Sequence, residues 1–182
     1  MYYQYPLEVL ARKRGARSQI AFAREARRVF VDTDEVLAHP GARGLEILAA
    51  NETVLSRPAR ALRDVYGDAV ELRRPRIRYI PGDPVREPIM HARITVRREY
   101  AGRILAEIRT RGVRIVEECY RDRIYIVRGE SPLAALLGLP ARLHAIADGS
   151  ADCEIRLIRY APVTLDLTAT AGTPPGPPSP AR

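Results

Sequence analysis

A chain of 182 residues holds either one medium domain or two small ones. Its composition, 46% hydrophobic and 29% charged, excludes a fibrous or low-complexity protein, and no apolar run approaches the roughly 18 residues a membrane-spanning helix needs. The net charge is +8, and Lys13 is the only lysine among 30 basic side chains. Arginine grips phosphate bidentately, so this charge fits a polyanion-binding surface; it fits equally a genome that favours Arg codons, and charge alone does not choose. "MYYQYPLEVLARKR" has no basic start followed by an apolar run, so no secretory signal is read. Cys119 and Cys153 have no metal-ligand spacing and are too few for a disulfide framework, which points to a reducing cytoplasm.

Residues 5–11 read as a first strand, followed by a basic loop, "RKRGAR", over residues 12–17. Ser18 is a candidate cap for a helix in which Phe22, Ala26, Val29 and Phe30 recur at helical spacing. "EVLAHPGARGLEILAA" sets two apolar runs around a Pro-Gly turn, a hairpin signal. Ser56 and Pro58 are placed to start a second helix that Gly67 stops, with Leu55, Ala59, Leu62 and Tyr66 on one stripe. "AVELRRPRIRYI" closes this half as an extended segment.

The second half repeats the order. Met90, Ala92, Ile94 and Val96 alternate along a strand, and Tyr100, Ile104 and Ile108 share a helix face that ends near Gly112. "VRIVEECY" and "RIYIVRG" form a hairpin around Arg121 and Asp122. Ser131-Pro132 opens a helix that Gly138 and Pro140 interrupt, and Cys153, Ile155 and Leu157 alternate along a last strand. The expected fold is therefore α+β, two tandem ferredoxin-like βαββαβ units over residues 1–80 and 87–164, joined by "IPGDPVR". The two cysteines would lie on opposite sheet edges, about 14 Å apart, too far for a disulfide. Residues 165–182 read as a disordered Pro-rich tail, whose "PPGPP" also fits an SH3-like groove.

Several motifs of the second half carry a family resemblance: "EPIM" at 87–90, Val96 through Glu99-Tyr100, Gly102 and Ile104, Arg111 with Arg114-Ile115, "PLAALLG" at 132–138, Asp148-Gly149 and Tyr160. In order and spacing they resemble the C-terminal, fifth domain of elongation factor G. Arg97 stands where that family usually has Pro, and Gly149-Ser150-Ala151 replaces its Gly-Arg-Gly. More weakly, "AHPGARGLEIL" and "ALRDVYGDAVELRRPRIRY" resemble its third domain, with Asn51-Glu52 in place of Gly-Glu-Leu-His. The resemblance implies a third domain joined directly to a fifth, without the GTPase, barrel and fourth domains. On this reading the chain is a self-standing product. It also implies contact with the ribosomal factor-binding region at the level of domains, with no residue inheriting a role.

Catalytic signals are missing from the sequence. There is no P-loop and no G-x-S-x-G, and His39, His91 and His144 have no metal-ligand spacing. Acylphosphatases share this small fold and use an Arg and an Asn; the one Asn here, Asn51, is better explained as a helix cap. The expectation is a protein that is not an enzyme and uses no cofactor, metal or nucleotide. Two basic clusters remain as candidate RNA-binding residues: Arg12, Lys13, Arg14 and Arg17, and Arg73, Arg74, Arg76 and Arg78. Whether they share one end of the unit is left open by the sequence. The outer face of the second sheet is expected to carry His91, Arg93, Tyr125, Arg156 and Tyr160, against the first unit or, less in keeping with the consensus, against RNA bases. The expected function is binding of the ribosome or rRNA through basic surfaces; the alternative is a protein–protein adaptor with no RNA role.

Overall fold

The computed structural model describes residues 3–163, so the expected Pro-rich tail and its "PPGPP" lie outside the described residues. Strand β1 (Leu7–Lys13) buries Leu7, Val9 and Ala11 and turns Glu8, Leu10 and Arg12 to the other face. The strand runs two residues beyond the expected end. Pairing with a neighbour continues to Lys13, so Arg12 and Lys13 belong to the sheet and the basic loop shrinks to residues 14–17. Helix α1 (Gln19–Ala26) is capped by Ser18, whose Oγ accepts the Ala21 N–H at 3.3 Å, and it buries Phe22, Ala23 and Ala26. Strands β2 (Val36–Gly41) and β3 (Gly44–Ala49) form the expected hairpin. Its reversal falls at Ala42 and Arg43, because Pro40 and Gly41 are paired in the ladder with Leu45 and Gly44.

Gly44 has φ of 141°, and a Cβ there would lie 2.3 Å from the Ala11 carbonyl oxygen, so no side chain fits. Helix α2 (Ser56–Tyr66) follows a single tighter turn, Thr53–Leu55, and ends at Gly67 with φ of 57°. The capping oxygen is Asn51 Oδ1, which accepts the Val54 N–H at 3.2 Å; the Ser56 hydroxyl donates to Thr53 O at 2.9 Å and caps nothing. The half closes with two short strands, β4 (Val70–Leu72) and β5 (Arg76–Ile77), both antiparallel to β1 and broken between them at Pro75. The sheet order is β2-β3-β1-β4.

In the second half, strand β6 (Arg86–Arg97) buries Met90, Ala92, Ile94 and Val96 against helix α3 (Ala101–Thr110), which contributes Ile104 and Ile108. Strands β7 (Arg114–Arg121) and β8 (Ile124–Pro132) reverse at Asp122, whose φ is 52°. Ser131 and Pro132 do not start a helix. They pair with Met90 and Ile89 in β8, and helix α4 (Leu133–Leu136) begins after them. Gly138, left-handed at φ of 71°, separates α4 from α5 (Leu139–Ile146), and strand β9 (Asp152–Pro162) completes the order β7-β8-β6-β9. Numbered within each half, both sheets read 2-3-1-4 with the helices linking alternate strands, the ferredoxin-like arrangement expected. No helix among the described residues is long and apolar enough to cross a membrane.

The halves meet through few but specific contacts. Asn51 Nδ2 donates to Ile155 O on the edge strand β9 at 3.0 Å, and Glu52 Oε2 accepts the Gly138 N–H at 2.6 Å at the start of α5. Tyr160 OH donates to Tyr3 O at 3.1 Å with the two rings edge to face. Ile80 and Arg86 exchange both backbone hydrogen bonds, at 2.9 and 3.0 Å, which closes the connection into a loop. Asn51 is thus the helix cap expected from the sequence and, with Glu52, a fastening between the units.

Candidate functional site

The two basic clusters lie along one ladder. Because β4 and β5 run antiparallel to β1, Arg14 N–H donates to Ala69 O at one end and Arg78 N–H to Pro6 O at the other. Arg73, whose N–H donates to Leu10 O, and Arg76, opposite Glu8, fall between. From Pro6 to Arg14 this is roughly 26 Å at about 3.3 Å per residue. The clusters therefore follow one another along this ladder, with Arg73 of the second opposite Leu10, two residues from Arg12 of the first.

Along that ladder the eight residues do different things. Lys13 turns to the helix side, its Nζ 5.3 Å from the Tyr66 ring centroid, and Gln19 holds both its backbone groups. Arg78 donates from Nη1 to Tyr5 O at 3.0 Å and fastens the amino-terminal segment. Arg12 lies over Gly44 on the open face, with its Nε buried and without a hydrogen-bond partner among the described residues. Arg73 pairs with Glu71 at 3.3 Å. Arg14, Arg17, Arg74 and Arg76 are exposed and form no ion pair among the described residues. Arg74 and Arg76 line a shallow depression with Arg43, Arg73, Glu8 and Leu10. Four of the eight guanidinium or ammonium groups are therefore open to a partner.

The second sheet uses its arginines otherwise. On its open face Arg114 and Arg159 pair with Glu130, Arg128 with Glu117, and Arg156 with Glu154. The Arg114 guanidinium, hydrogen-bonded to Glu130, is the main reason that carboxyl titrates below its usual range. Tyr125 does not lie on this face. It stands opposite Val96 in the β6–β8 register, is fully buried, and donates its hydroxyl to Glu118 Oε2 at 2.8 Å. Of the five residues expected there, Tyr160 turns to Tyr3 of the first unit, while Arg156 is exposed.

Arg111, one of the motif residues, has a structural task. Its Nη1 donates to Ala135 O at 3.1 Å and Leu137 O at 2.9 Å, and its Nε pairs with Glu107 at 2.8 Å, so it ties α3 to the α4–α5 turn. That hydrogen bond, foremost, holds the Glu107 carboxyl below its ordinary range. Cys119 and Cys153 are free on the two edge strands. Burial, with Asp152 as a lesser cause, pushes the Cys153 thiol up to about 12, so it carries almost no thiolate at neutral pH. Among the described residues no group of three or more His, Cys, Asp or Glu is placed to hold a metal ion.

One basic group escaped the sequence reading. Arg97 and Arg98 end β6, and Arg121 and Arg123 flank the β7–β8 turn; the register brings them to one end of the sheet beside the exposed ring of Tyr120. "VRREY" and "CYRDR" each set Arg beside Tyr, and the antiparallel hairpin already expected would have joined them.

A tandem pair of ferredoxin-like units with open arginines on one edge is the class defined so far. Residues 85–171 match the family model described as "Elongation factor G C-terminus", so the second unit resembles the C-terminal domain of that translation factor. Mitochondrial ribosome-releasing factor 2 from Bos taurus is 35% identical over 74 residues, 41% of this chain and 10% of that protein; the Mus musculus protein is 36% identical over 76 residues, 42% and 10%. The chain thus spans about a tenth of the length of these relatives. A crystal structure of a protein from Thermus thermophilus superposes with a TM-score of 0.63 at 14% identity, over 87% of this chain and 41% of that one, and shares the fold. The chain is related to translation factors through its second unit.

Proposed function

We propose that this protein binds the ribosome, or rRNA within it, as an elongation-factor-G-like protein without enzymatic activity, and that it needs no nucleotide or other cofactor. The observation that carries the reading is the match of residues 85–171 to the elongation factor G C-terminus. Arg14, Arg17, Arg74 and Arg76, exposed and free of ion pairs among the described residues, are the groups that neutralise phosphates. Phosphate contact needs positive charge and no base readout, which suits a stripe of arginines. The two reduced cysteines suit a cytoplasmic setting.

The test is co-sedimentation of the purified chain with purified ribosomes through a sucrose cushion. The expected result is pelleting with ribosomes at about 50 mM salt and release by roughly 300 mM, as counterion release requires. A chain that stays in the supernatant at the lower salt would refute the reading. A complex with a protein that is indifferent to salt would favour an adaptor role instead.

A further inference from the structure

The Arg-Tyr group at the end of the second sheet sets an exposed ring directly under a guanidinium. Arg98 N–H donates to Arg123 O at 2.8 Å, and Arg97 and Arg121 both stand opposite Ile124 in their ladders. Four exposed arginines thereby lie within two residue layers, with Arg97 and Arg121 on the sheet face opposite the one that Tyr120 shares with Tyr125. Tyr120 is 55% exposed at this end. Its ring is backed by Tyr125, whose centroid is 4.9 Å away and which is 0% exposed, with its hydroxyl tied to Glu118. The Arg98 guanidinium lies over the Tyr120 ring at 5.2 Å. The ring is therefore held by a buried partner, and a guanidinium already stacks on it. The nearby carboxylates are Glu99, paired with Arg97 at 3.2 Å, Asp122 in the turn and Glu118, which accepts from Tyr125; the four arginines outnumber them.

We infer that this end of the second unit is a site for an unpaired RNA base: the base stacks on the Tyr120 ring in the place the Arg98 guanidinium now takes, while Arg98 and Arg123 take the flanking phosphates. A base offers its π-face to a side chain only when it is out of a duplex, and aromatic stacking beside guanidinium groups is how single strands are held without base readout. The inference rests on the RNA-binding reading above and narrows it to unpaired segments.

The experiment compares binding of a 12-nucleotide oligo(A) single strand and a 12-base-pair RNA duplex to the whole chain at low salt. Tyr120→Ala is expected to weaken the single strand roughly tenfold and the duplex by less than about twofold, and Tyr120→Phe to keep both. The chain has no Trp, so Tyr120→Trp supplies a unique emission signal, which stacked bases should quench at saturation. This variant keeps the test valid if Tyr120→Ala fails to fold. Unchanged emission at saturation overturns the inference. So does equal loss of both RNAs in a folded Tyr120→Ala variant, or a salt-indifferent protein contact that depends on Tyr120 while RNA binding does not. In those cases duplex binding that still falls in an Arg14→Ala, Arg17→Ala variant leaves the broader RNA reading intact. A wild type that binds neither RNA ends both.

Discussion

The first unit leaves most of its arginines without an ion pair among the described residues, whereas the second pairs seven of its own, three of them across strands. Among the described residues the first sheet's half forms three ion pairs, Arg27–Asp32, Arg43–Glu46 and Arg73–Glu71. The second forms seven. The same topology and the same Arg-rich composition thus serve two ends. In the second unit cross-strand carboxylates, Glu117 and Glu130, pair arginines of the open face, and Arg98, Arg121 and Arg123 at the hairpin end form no ion pair among the described residues. In the first unit Glu71 pairs with Arg73, while Arg14, Arg17, Arg74 and Arg76 form no ion pair among the described residues, and charge there is left for a partner. High Arg content is therefore no measure of a binding surface; the position of the carboxylates decides.

The sharpest way to break this comparison is to collapse one unit and ask whether the other survives. Gly44→Ala sets a Cβ against the Ala11 backbone at an unfavourable φ and should cost the first unit about 3 kcal/mol or more in urea unfolding. Near the end of the second sheet's third strand, a Cβ at Gly129 would meet Val113 Cγ1 at 2.7 Å and the Arg114 carbonyl oxygen at 3.0 Å; its closest neighbour is a side chain and its φ is ordinary, so Gly129→Ala should cost less than Gly44→Ala. Equal costs would show that the two third strands are not held as described. Next in size, Arg111→Ala should destabilise the second unit by about 2 kcal/mol, since Arg111 is 25% exposed and donates to two carbonyls. Arg111→Lys should recover less than half of that, because an ammonium lacks the fork. Wild-type unfolding of Arg111→Ala would remove its assigned task.

Smaller effects sharpen the boundary between units. Asn51→Asp keeps the oxygen that caps Val54 but loses the donor to Ile155, and Asn51→Ala loses both. Unfolding should weaken by about 1 kcal/mol for the first and about 2 kcal/mol for the second. Identical values would mean that the contact between units contributes nothing. Smallest is a pH effect. Glu107 has its folded-state pKa lowered from an ordinary 4.5, chiefly by its hydrogen bond to Arg111. A lowered carboxylate stabilises the fold above its unfolded pKa and loses that contribution as pH falls through the folded pKa. Stability should therefore drop below about pH 4.5 more steeply in the wild type than in Glu107→Gln; parallel curves would count against it.

The topology was legible because its signals are long and regular: Met90 to Val96 alternates without a break, and Tyr100, Ile104 and Ile108 keep one helical stripe. Asn51 as a cap and Gly67 as a stop were legible from local chemistry. The facing of Tyr125 was not. Ile124, Tyr125, Ile126 and Val127 are consecutive apolar residues, so a period of two does not say which pair turns inward; only the pairing of Tyr125 with Val96 does. Ser131-Pro132 looked like a helix start, yet pairing with β6 continues through both residues. Arg12 and Lys13 looked like one loop cluster. Because β1 runs on to Lys13, successive residues face opposite ways, and Lys13 meets Tyr66 where Arg12 meets Gly44. The Arg-Tyr end of the second sheet needed two distant segments to be brought together, and spacing along the chain does not report that.

The most direct test of the central claim is the salt dependence of ribosome binding for the wild type and for Arg14→Ala, Arg17→Ala, Arg74→Ala, Arg76→Ala. If these four residues neutralise phosphates, log affinity falls linearly with log salt in the wild type. The variant's slope is then flatter by up to about three units, at roughly 0.7–0.9 for each phosphate it no longer neutralises. Its melting curve should match the wild type, since all four side chains are exposed and unpaired among the described residues. A wild-type slope near zero, or a variant with unchanged affinity and slope, would contradict the account.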